Sequence, residues 1–491
     1  MKTRNTLLVT SLFLWCVHAS GQNILFSTRH DGGSDDGINC VRTTTDGSFI
    51  VFGSRQGEEG SKAQVCISLL DHEGNYYNTV NYGDSSRDHR LGYDPGAKTM
   101  DDQFSLGVTV GYSASLWLLN SLADTLWCRS PFVAIGDTSQ ADGTAIAGNG
   151  DILLLGTVKH IDTPRKMFLA RYSNTGSFKW AQEYAPSNSW PHYAFAMDTL
   201  NDGGFILSGY RVDPYSWDSD GWLVRTDSMG TLVWDSYLNT GGDDGMRPLV
   251  SLPGGGFMVG GMEQRENPNQ PGDYCCSAPY FARYADDGTV LWDSTYAGGG
   301  NEVYSFDMCL STEGNILSSG TAWSQYGQRA YLFSIGIDGD SLWHHQYFAP
   351  DGSCINYSYW PYSVIQESAT SIVVAGFVGL CGNDQWVMRV DAQGTPPPNM
   401  QLWTDVAEGV GPEPGITVSP NPTDGTITLR SPALLGHVEV FDLSGRRVLD
   451  VPIGTGMSNI PIDLGGLRCG TYIVAATDRE GRTWHQVVIK K

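Results

Sequence analysis

The sequence predicts an all-β protein: a seven-bladed β-propeller of four-stranded blades, with an N-terminal strand closing the last blade, followed by a small C-terminal β-sandwich. Three observations predict it. A hairpin of the form Arg225-Thr226-Asp227-Ser228-Met229-Gly230-Thr231-Leu232-Val233-Trp234 recurs along the chain, with Gly placed where a tight turn needs φ > 0 and an aromatic leading the second strand. A second, apolar strand ending in Gly precedes each copy at intervals of 45 to 59 residues, the period of a propeller blade. Finally, one copy is broken between the two ends of the repeat region.

With the strands of a repeat named a to d, strand b reads Gly47 to Gly53, Gly150 to Gly156, Gly204 to Gly209, Gly256 to Gly261, Gly314 to Gly320 and Ser371 to Gly376, with a degenerate copy ending at Gly111. The c-to-d turns carry Gly74, Gly176, Gly230, Gly288, Gly339 and Gly394, and strand d opens on Trp127, Trp180, Trp234, Trp292 or Trp343. The first repeat departs, with Tyr77 and Asn78 where the Trp is expected. After Gly394 the chain runs into Pro396-Pro397-Pro398, which cannot donate to a ladder, so the last repeat lacks strand d. Phe26 to Gly37 aligns with Trp234 to Gly245 without a gap and supplies it. Residues 24–30 are therefore expected to pair with the last repeat and remove an open edge.

Composition agrees: among 491 residues there are 60 Gly and 11% aromatics, too turn-rich for a helical protein. The net charge of −23 excludes nucleic acid as a partner, since phosphate binding rests on clustered Lys and Arg. Lys2 and Arg4, the apolar run Leu7 to Val17 and the small residues Ala19, Ser20 and Gly21 read as a cleaved signal peptide, residues 1–21. No later stretch is long and apolar enough to cross a bilayer as a helix. The propeller is assigned to residues 22–397, a Pro-, Gly- and acid-rich linker to 398–415, and the small β domain to 416–491. A single copy is the expected state.

The C-terminal segment resembles the sorting domain of the type IX secretion system of Gram-negative bacteria, through Val418-Ser419-Pro420-Asn421-Pro422, Val440-Phe441-Asp442-Leu443-Ser444-Gly445-Arg446, Ile462-Asp463-Leu464-Gly465-Gly466-Leu467, Gly470-Thr471-Tyr472-Ile473-Val474 and the basic end Lys490-Lys491. The resemblance implies an Ig-like sandwich, recognition by the type IX machinery and export across the outer membrane, to the medium or the cell surface. The repeats resemble propellers carried upstream of such domains, through Gly203-Gly204-Phe205-Ile206-Leu207-Ser208-Gly209 and Gly221-Trp222-Leu223-Val224-Arg225-Thr226-Asp227. The c-to-d turn is similar in part to the Asp-box of sialidase-type propellers, a fold element remote from chemistry.

Function is expected on the face bearing the b-to-c and d-to-a loops, which are long and varied while the opposite turns are tight. Trp190, Tyr215, Trp217, Tyr274, Trp323, Tyr357 and Trp360 lie in those loops and would stack on sugar rings or anchor a protein; the other reading is that they pack the loops onto the ring. Asp35, Asp36, Asp243 and Asp244 sit at equivalent junctions and offer oxygen ligands for calcium, against the simpler reading of solvated Asp-Gly turns. In an exported chain, Cys40 with Cys66 and Cys354 with Cys381 are the candidate disulfides. No HExxH, GxSxG or phosphate loop occurs. The expected function is a binding or adhesion module for a glycan or protein. A carbohydrate-active enzyme is the alternative, because propeller glycosidases assemble carboxylates without a local motif.

Overall fold

The computed structural model describes residues 25–31, 35–56, 61–131, 137–185, 190–213, 215–239, 244–266, 274–296, 302–324, 327–349, 358–379, 383–403, 417–420, 423–430, 435–442, 446–451, 459–468, 470–478 and 483–491. Among them every regular element is a strand. The chain divides into two compact units, one reaching Thr404 and one beginning at Asp405.

In the first unit, β1 is Phe26–His30, and antiparallel sets of four follow. They are β2 to β5 (Asp36–Thr43, Phe49–Arg55, Gln64–Leu70, Tyr76–Tyr82), β6 to β9 (His89–Lys98, Phe104–Val110, Ser113–Leu119, Thr125–Arg129) and β10 to β13 (Thr138–Ile146, Ile152–Lys159, Lys166–Tyr172, Phe178–Tyr184). Next come β14 to β17 (His192–Thr199, Phe205–Val212, Ser219–Thr226, Leu232–Leu238), β18 to β21 (Gly245–Ser251, Phe257–Glu266, Tyr274–Tyr284, Val290–Thr295) and β22 to β25 (Glu302–Leu310, Ile316–Ser324, Gly327–Ile335, Ser341–Phe348). The last three strands are β26 to β28 (Ser358–Ser368, Ser371–Gly379, Asn383–Asp391), and β1 pairs antiparallel with β28 from Phe26↔Arg389 to His30↔Gln385. The first strands neighbour one another in order, β2 beside β6, β6 beside β10, and so on to β26, which lies beside β2. Residues 401–403, placed in the linker by composition, instead form β29 (Gln401–Trp403) on the outer edge of β25.

Each set is packed between two others, so its second and third strands are apolar on both faces and read as unbroken hydrophobic runs. The cores lie between consecutive sets. Ile50, Phe52, Val65 and Ile67 meet Phe104, Leu106 and Trp117, and Val51 and Phe49 meet Val373, Ala375 and Val387 where the last set meets the first.

The repeat's turn glycine has two jobs. At Gly230 φ is +78°, and a Cβ there would stand 2.7 Å from the Trp180 ring, which comes from strand d of the preceding set. The same seating joins Trp127 to Gly176, Trp234 to Gly288, Trp292 to Gly339 and Trp343 to Gly394, and Phe26 of β1 occupies it over Gly74. The indole N–H of Trp127, Trp234 and Trp292 donates to a carbonyl of the turn it covers. Where the first set lacks the Trp, the next turn carries Ala123 at φ 71°, its carbonyl accepting from the Tyr82 hydroxyl at 2.5 Å. A Cβ is admitted where no indole needs the space.

In the second unit, β30 (Thr417–Ser419), β31 (Thr426–Arg430) and β34 (Asn459–Asp463) form one sheet. β33 (Arg447–Val451), β32 (Leu435–Asp442), β35 (Gly470–Asp478) and β36 (Thr483–Lys490) form the other, and the two sheets share a core of Ile427, Leu429, Val438, Val440, Ile462, Val474 and Val488. Of these strands β30 and β34 are short, the first bordered by Pro420 and the second interrupted by Pro461.

The seating makes a quantitative prediction. Gly230→Ala combines a left-handed backbone with an overpacked ring and is expected to cost about 2 to 4 kcal/mol, while Ala123→Gly changes stability by less than about 1 kcal/mol. Equal losses in urea unfolding would refute the assignment.

Candidate functional site

The first strand of every set carries a bulge opposite its neighbour, and the bulge displaces a residue from the alternation. The register slips at Asn39, at Gly92 to Pro95, at Asp142, at Phe195, at Arg247-Pro248, at Phe306 and at Pro361-Tyr362. The glycine ending strand b has its reason here. A Cβ at Gly376 would lie 1.8 Å from the Trp360 carbonyl oxygen, and at Gly209 2.0 Å from that of Tyr193, so only Gly lets the bulged strand approach.

Because the first strands adjoin one another, the displaced residues converge. The Arg247 guanidinium carbon lies 4.9 Å from the Phe195 ring centre, 5.3 Å from Tyr93 and 5.5 Å from Phe306. Phe195 stacks on Tyr210 at 4.9 Å, and Phe306 packs on Tyr362 at 4.8 Å and Trp360 at 5.9 Å. Trp323 meets Trp360 edge-on at 5.9 Å. Tyr93, Phe195 and Phe306 border a cavity of about 320 Å³, which Arg42, Asp94, Asp198 and Asp307 also line.

The carboxylates around it are bonded across strands. Asp94 pairs with Arg42 at 2.9 Å. Asp307 accepts the Val364 and Met308 amides, each at 2.8 Å, and Asp198 accepts the Ser251 amide at 2.7 Å and its hydroxyl at 2.8 Å. Burial raises the pKa of Asp94 and Asp198, and pushes Asp307 up to about 7, with the Asp94 charge adding to the effect. Asp142, buried at its bulge, accepts from the Gln140 amide at 2.7 Å and the Thr157 hydroxyl at 3.1 Å; burial pushes it up to about 7 as well.

A larger cleft of about 920 Å³ opens on the loop-rich side of β6 to β13. It lies over the short connection of β7 to β8, Gly111-Tyr112 alone with Gly111 at φ 64°, and beside residues 160–165, which join β11 to β12. In its wall both ring nitrogens of His160 donate, Nδ1 to Asp137 at 2.9 Å and Nε2 to Glu183 at 2.6 Å, and these bonds raise its pKa and favour the imidazolium.

The aromatic residues expected to bind divide. Tyr215 and Trp217 are 89% and 77% exposed, on a turn closed by Trp217 N to Asp213 O at 2.9 Å and by the Tyr215 amide on the Asp213 carboxylate at 2.7 Å. Trp190 instead lies under Arg211, 4.6 Å from its guanidinium carbon, and Trp323 and Trp360 belong to the ring stack. Tyr357 and the Tyr274 side chain lie outside the described residues.

Of the calcium candidates, Asp36 is buried with Arg55 at 3.6 Å, the Asp35 carboxylate accepts the Asn383 amide at 3.0 Å, Asp244 is buried, and Asp243 lies outside the described residues. Among those described, no group of three or more His, Cys, Asp or Glu residues is placed to hold a metal.

The expected bridge from Cys40 to Cys66 does not form. Cys40 is on β2 and Cys66 on β4, with β3 between them, and strands two apart lie about 9 to 10 Å from each other, beyond disulfide reach. Both thiols are free, and burial pushes Cys40 up to about 12. Cys354 and Cys381 lie outside the described residues.

In the second unit, Tyr472 donates to the Arg468 carbonyl at 2.7 Å, and the buried Lys490 ammonium to that of Asp424 at 3.1 Å. Gly470 pairs with Lys490, and the Lys491 amide donates to Thr423. Pro420 is exposed, and Asn421, Pro422 and Gly445 lie outside the described residues.

Residues 417–490 match the family of the secretion system C-terminal sorting domain, and the chain is exported across the outer membrane to the cell surface or the extracellular space. Among the described residues no helix is long and apolar enough to cross a membrane. No curated protein matches the chain. Similar solved structures include the polysaccharide lyase Uly1 (10% identity, TM-score 0.44, covering 77% of this chain and 94% of that one) and a protein of unknown function from Dyadobacter fermentans (10%, 0.44, 78% and 96%). Another is an α-L-arabinofuranosidase of Fusarium graminearum in complex with arabinobiose (13%, 0.38, 75% and 93%). At these values the likeness carries no argument about site or substrate.

Asp142 gives a test of the buried carboxyls. Between its unfolded pKa near 4 and its folded value of about 7 the folded state holds a proton that the unfolded state has released, so its contribution to stability is full below pH 4 and is lost as pH rises to 7. Asp142→Asn should flatten the pH dependence of unfolding over that window by roughly 2 to 4 kcal/mol; parallel profiles for the two proteins would count against it.

Proposed function

We propose that the first unit is a seven-bladed β-propeller, with β1 as the outer strand of the last blade, and that it serves as an exported binding module whose ligand meets the loop-rich face. The observation that carries the binding reading is the pair Tyr215 and Trp217. Two large aromatic side chains stand in solvent on a turn that its own hydrogen bonds hold in place. Rings presented in this way offer stacking area at little conformational cost, as sugar and protein recognition both require. The half-exposed stack around Trp360 and Arg247 extends the same chemistry toward the ring of first strands.

A second reading, a carbohydrate-active enzyme on the same scaffold, is favoured by Asp307. Burial holds this carboxyl close to neutrality, which is what a general acid needs. Against it, both Asp307 oxygens are engaged by backbone amides.

A glycan array and a reducing-sugar release assay on the purified chain separate the two. Binding without turnover is expected, with Trp217→Ala and Tyr215→Ala each weakening it about tenfold while stability changes by no more than about 0.5 kcal/mol. Release of reducing ends that Asp307→Asn abolishes would replace binding with catalysis. Unchanged binding in both aromatic variants would reject the face.

A further inference from the structure

We propose that the cleft over the short β7–β8 turn binds an anionic polysaccharide, with its carboxylate or sulfate groups on the basic side chains and a sugar ring against Tyr112. This goes beyond the aromatic site at Tyr215 and Trp217 and stands on different observations.

The first is charge. In a chain of net charge −23, one cleft is lined by Lys62, Arg87, Arg90, Lys159, His160 and Arg165. Among the described residues several of these are offset: Arg87 pairs with Asp84 at 3.1 Å, Arg90 with Asp88 at 3.4 Å, and His160 with Lys166 balances Asp137 and Glu183. Lys62, Lys159 and Arg165 remain, with Asp162 as the opposing carboxylate in the lining, and the local balance is positive. The pairs of Arg87 and Arg90 are also exposed, with 60% and 63% of the side chain open to solvent. Exposed pairs are worth little, so either guanidinium can turn to a ligand anion in bidentate fashion.

The second observation is that the walls are preformed. The Gly111 amide donates to the Asp88 carbonyl at 2.7 Å, the Ser139 amide to that of Tyr112 at 2.8 Å, and the His192 amide to that of Arg165 at 3.0 Å. The first two bonds tie the turn to the segment before β6 and to β10, and the third ties the 160–165 connection to β14, so little ordering is left for the ligand to bring about. The volume of about 920 Å³ lies at the upper end of the range for ligand sites.

The third concerns the kind of polyanion. A nucleic acid needs a long basic track along its phosphates, whereas here the basic groups are confined to one cleft. Tyr112, 81% exposed beside the basic groups, offers the apolar ring face that a pyranose stacks on and that an acidic peptide does not call for. An exported protein meets such polymers outside the cell.

The test is the affinity of the purified full chain for four probes: polygalacturonate, which carries only carboxylates, dextran sulfate, neutral dextran and poly-glutamate. One or both anionic polysaccharides should bind, losing about tenfold in affinity between roughly 50 and 300 mM salt. Polygalacturonate alone binding would identify carboxylate as the recognised group, and dextran sulfate alone would identify sulfate. Lys159→Glu and Tyr112→Ala, both at exposed positions, should each weaken binding about tenfold or more with unchanged thermal unfolding, while Trp217→Ala leaves it intact. That last variant keeps a failure here distinct from a failure of the aromatic site. Binding of neutral dextran as tight as that of the charged polymers, no binding of either polyanion, indifference to Lys159→Glu, or tighter binding of poly-glutamate would each overturn the proposal.

Discussion

The structure of the first unit depends on one recurring contact, an aromatic ring from the last strand of one set packed against the turn glycine of the next. The contact joins neighbours that share no backbone hydrogen-bond ladder over most of their length, and so it sets how closely successive sets approach. It also couples two sequence positions roughly fifty residues apart. Where the ring is present the turn has Gly, and where Asn78 stands in place of Trp the turn has Ala123. The left-handed backbone is kept in both cases, and at the glycines the absent Cβ also makes room for the ring. Phe26 extends the contact to Gly74, and Arg389, on the strand that β1 pairs with, covers the Phe26 ring at 5.0 Å.

A repeat is legible in a sequence because the same local constraint is written many times. The turn glycines, the strand-d aromatics and the pairing of Phe26–His30 with the strand around Trp386 could all be read from register. The strand-b glycine was equally visible, but its purpose was not. It makes room for the carbonyl of a bulged partner, and a bulge is a property of two paired strands that neither sequence marks by itself. For that reason Tyr93, Asp142, Phe195, Arg247, Phe306 and Tyr362, which gather beside the ring of first strands, carried no signal of their own. Cys40 and Cys66 failed in a similar way. Sharing a repeat made them look like partners, yet an intervening strand keeps them apart.

The cleft shows how function can come from a lapse in the repeat. The copy ending at Gly111 is joined to the next strand by two residues, and the cleft lies over that short connection. Its basic residues come from three sets, Lys62 from the first, Arg87 and Arg90 from the second, Lys159 and Arg165 from the third. Nothing in their spacing relates them until the first strands are laid side by side. The irregular copy was the available signal, and it points to position without naming chemistry.

The two regions also differ in the kind of recognition they allow. Around Arg247 the cation is covered by rings and the neighbouring carboxylates are bonded, Asp198 and Asp307 to backbone amides and Asp94 to Arg42, so the polar groups there are largely committed to holding strands together. Over Gly111 the cations are exposed and loosely paired, and the backbone behind them is fixed. A rigid scaffold with uncommitted charge favours a ligand that can supply counter-charges at several points, whereas a bonded, ring-covered centre favours shape and stacking. The contrast follows from position: groups beside the first strands are needed by both neighbours for packing, while groups on the outer connections are needed by neither and stay available to solvent and ligand.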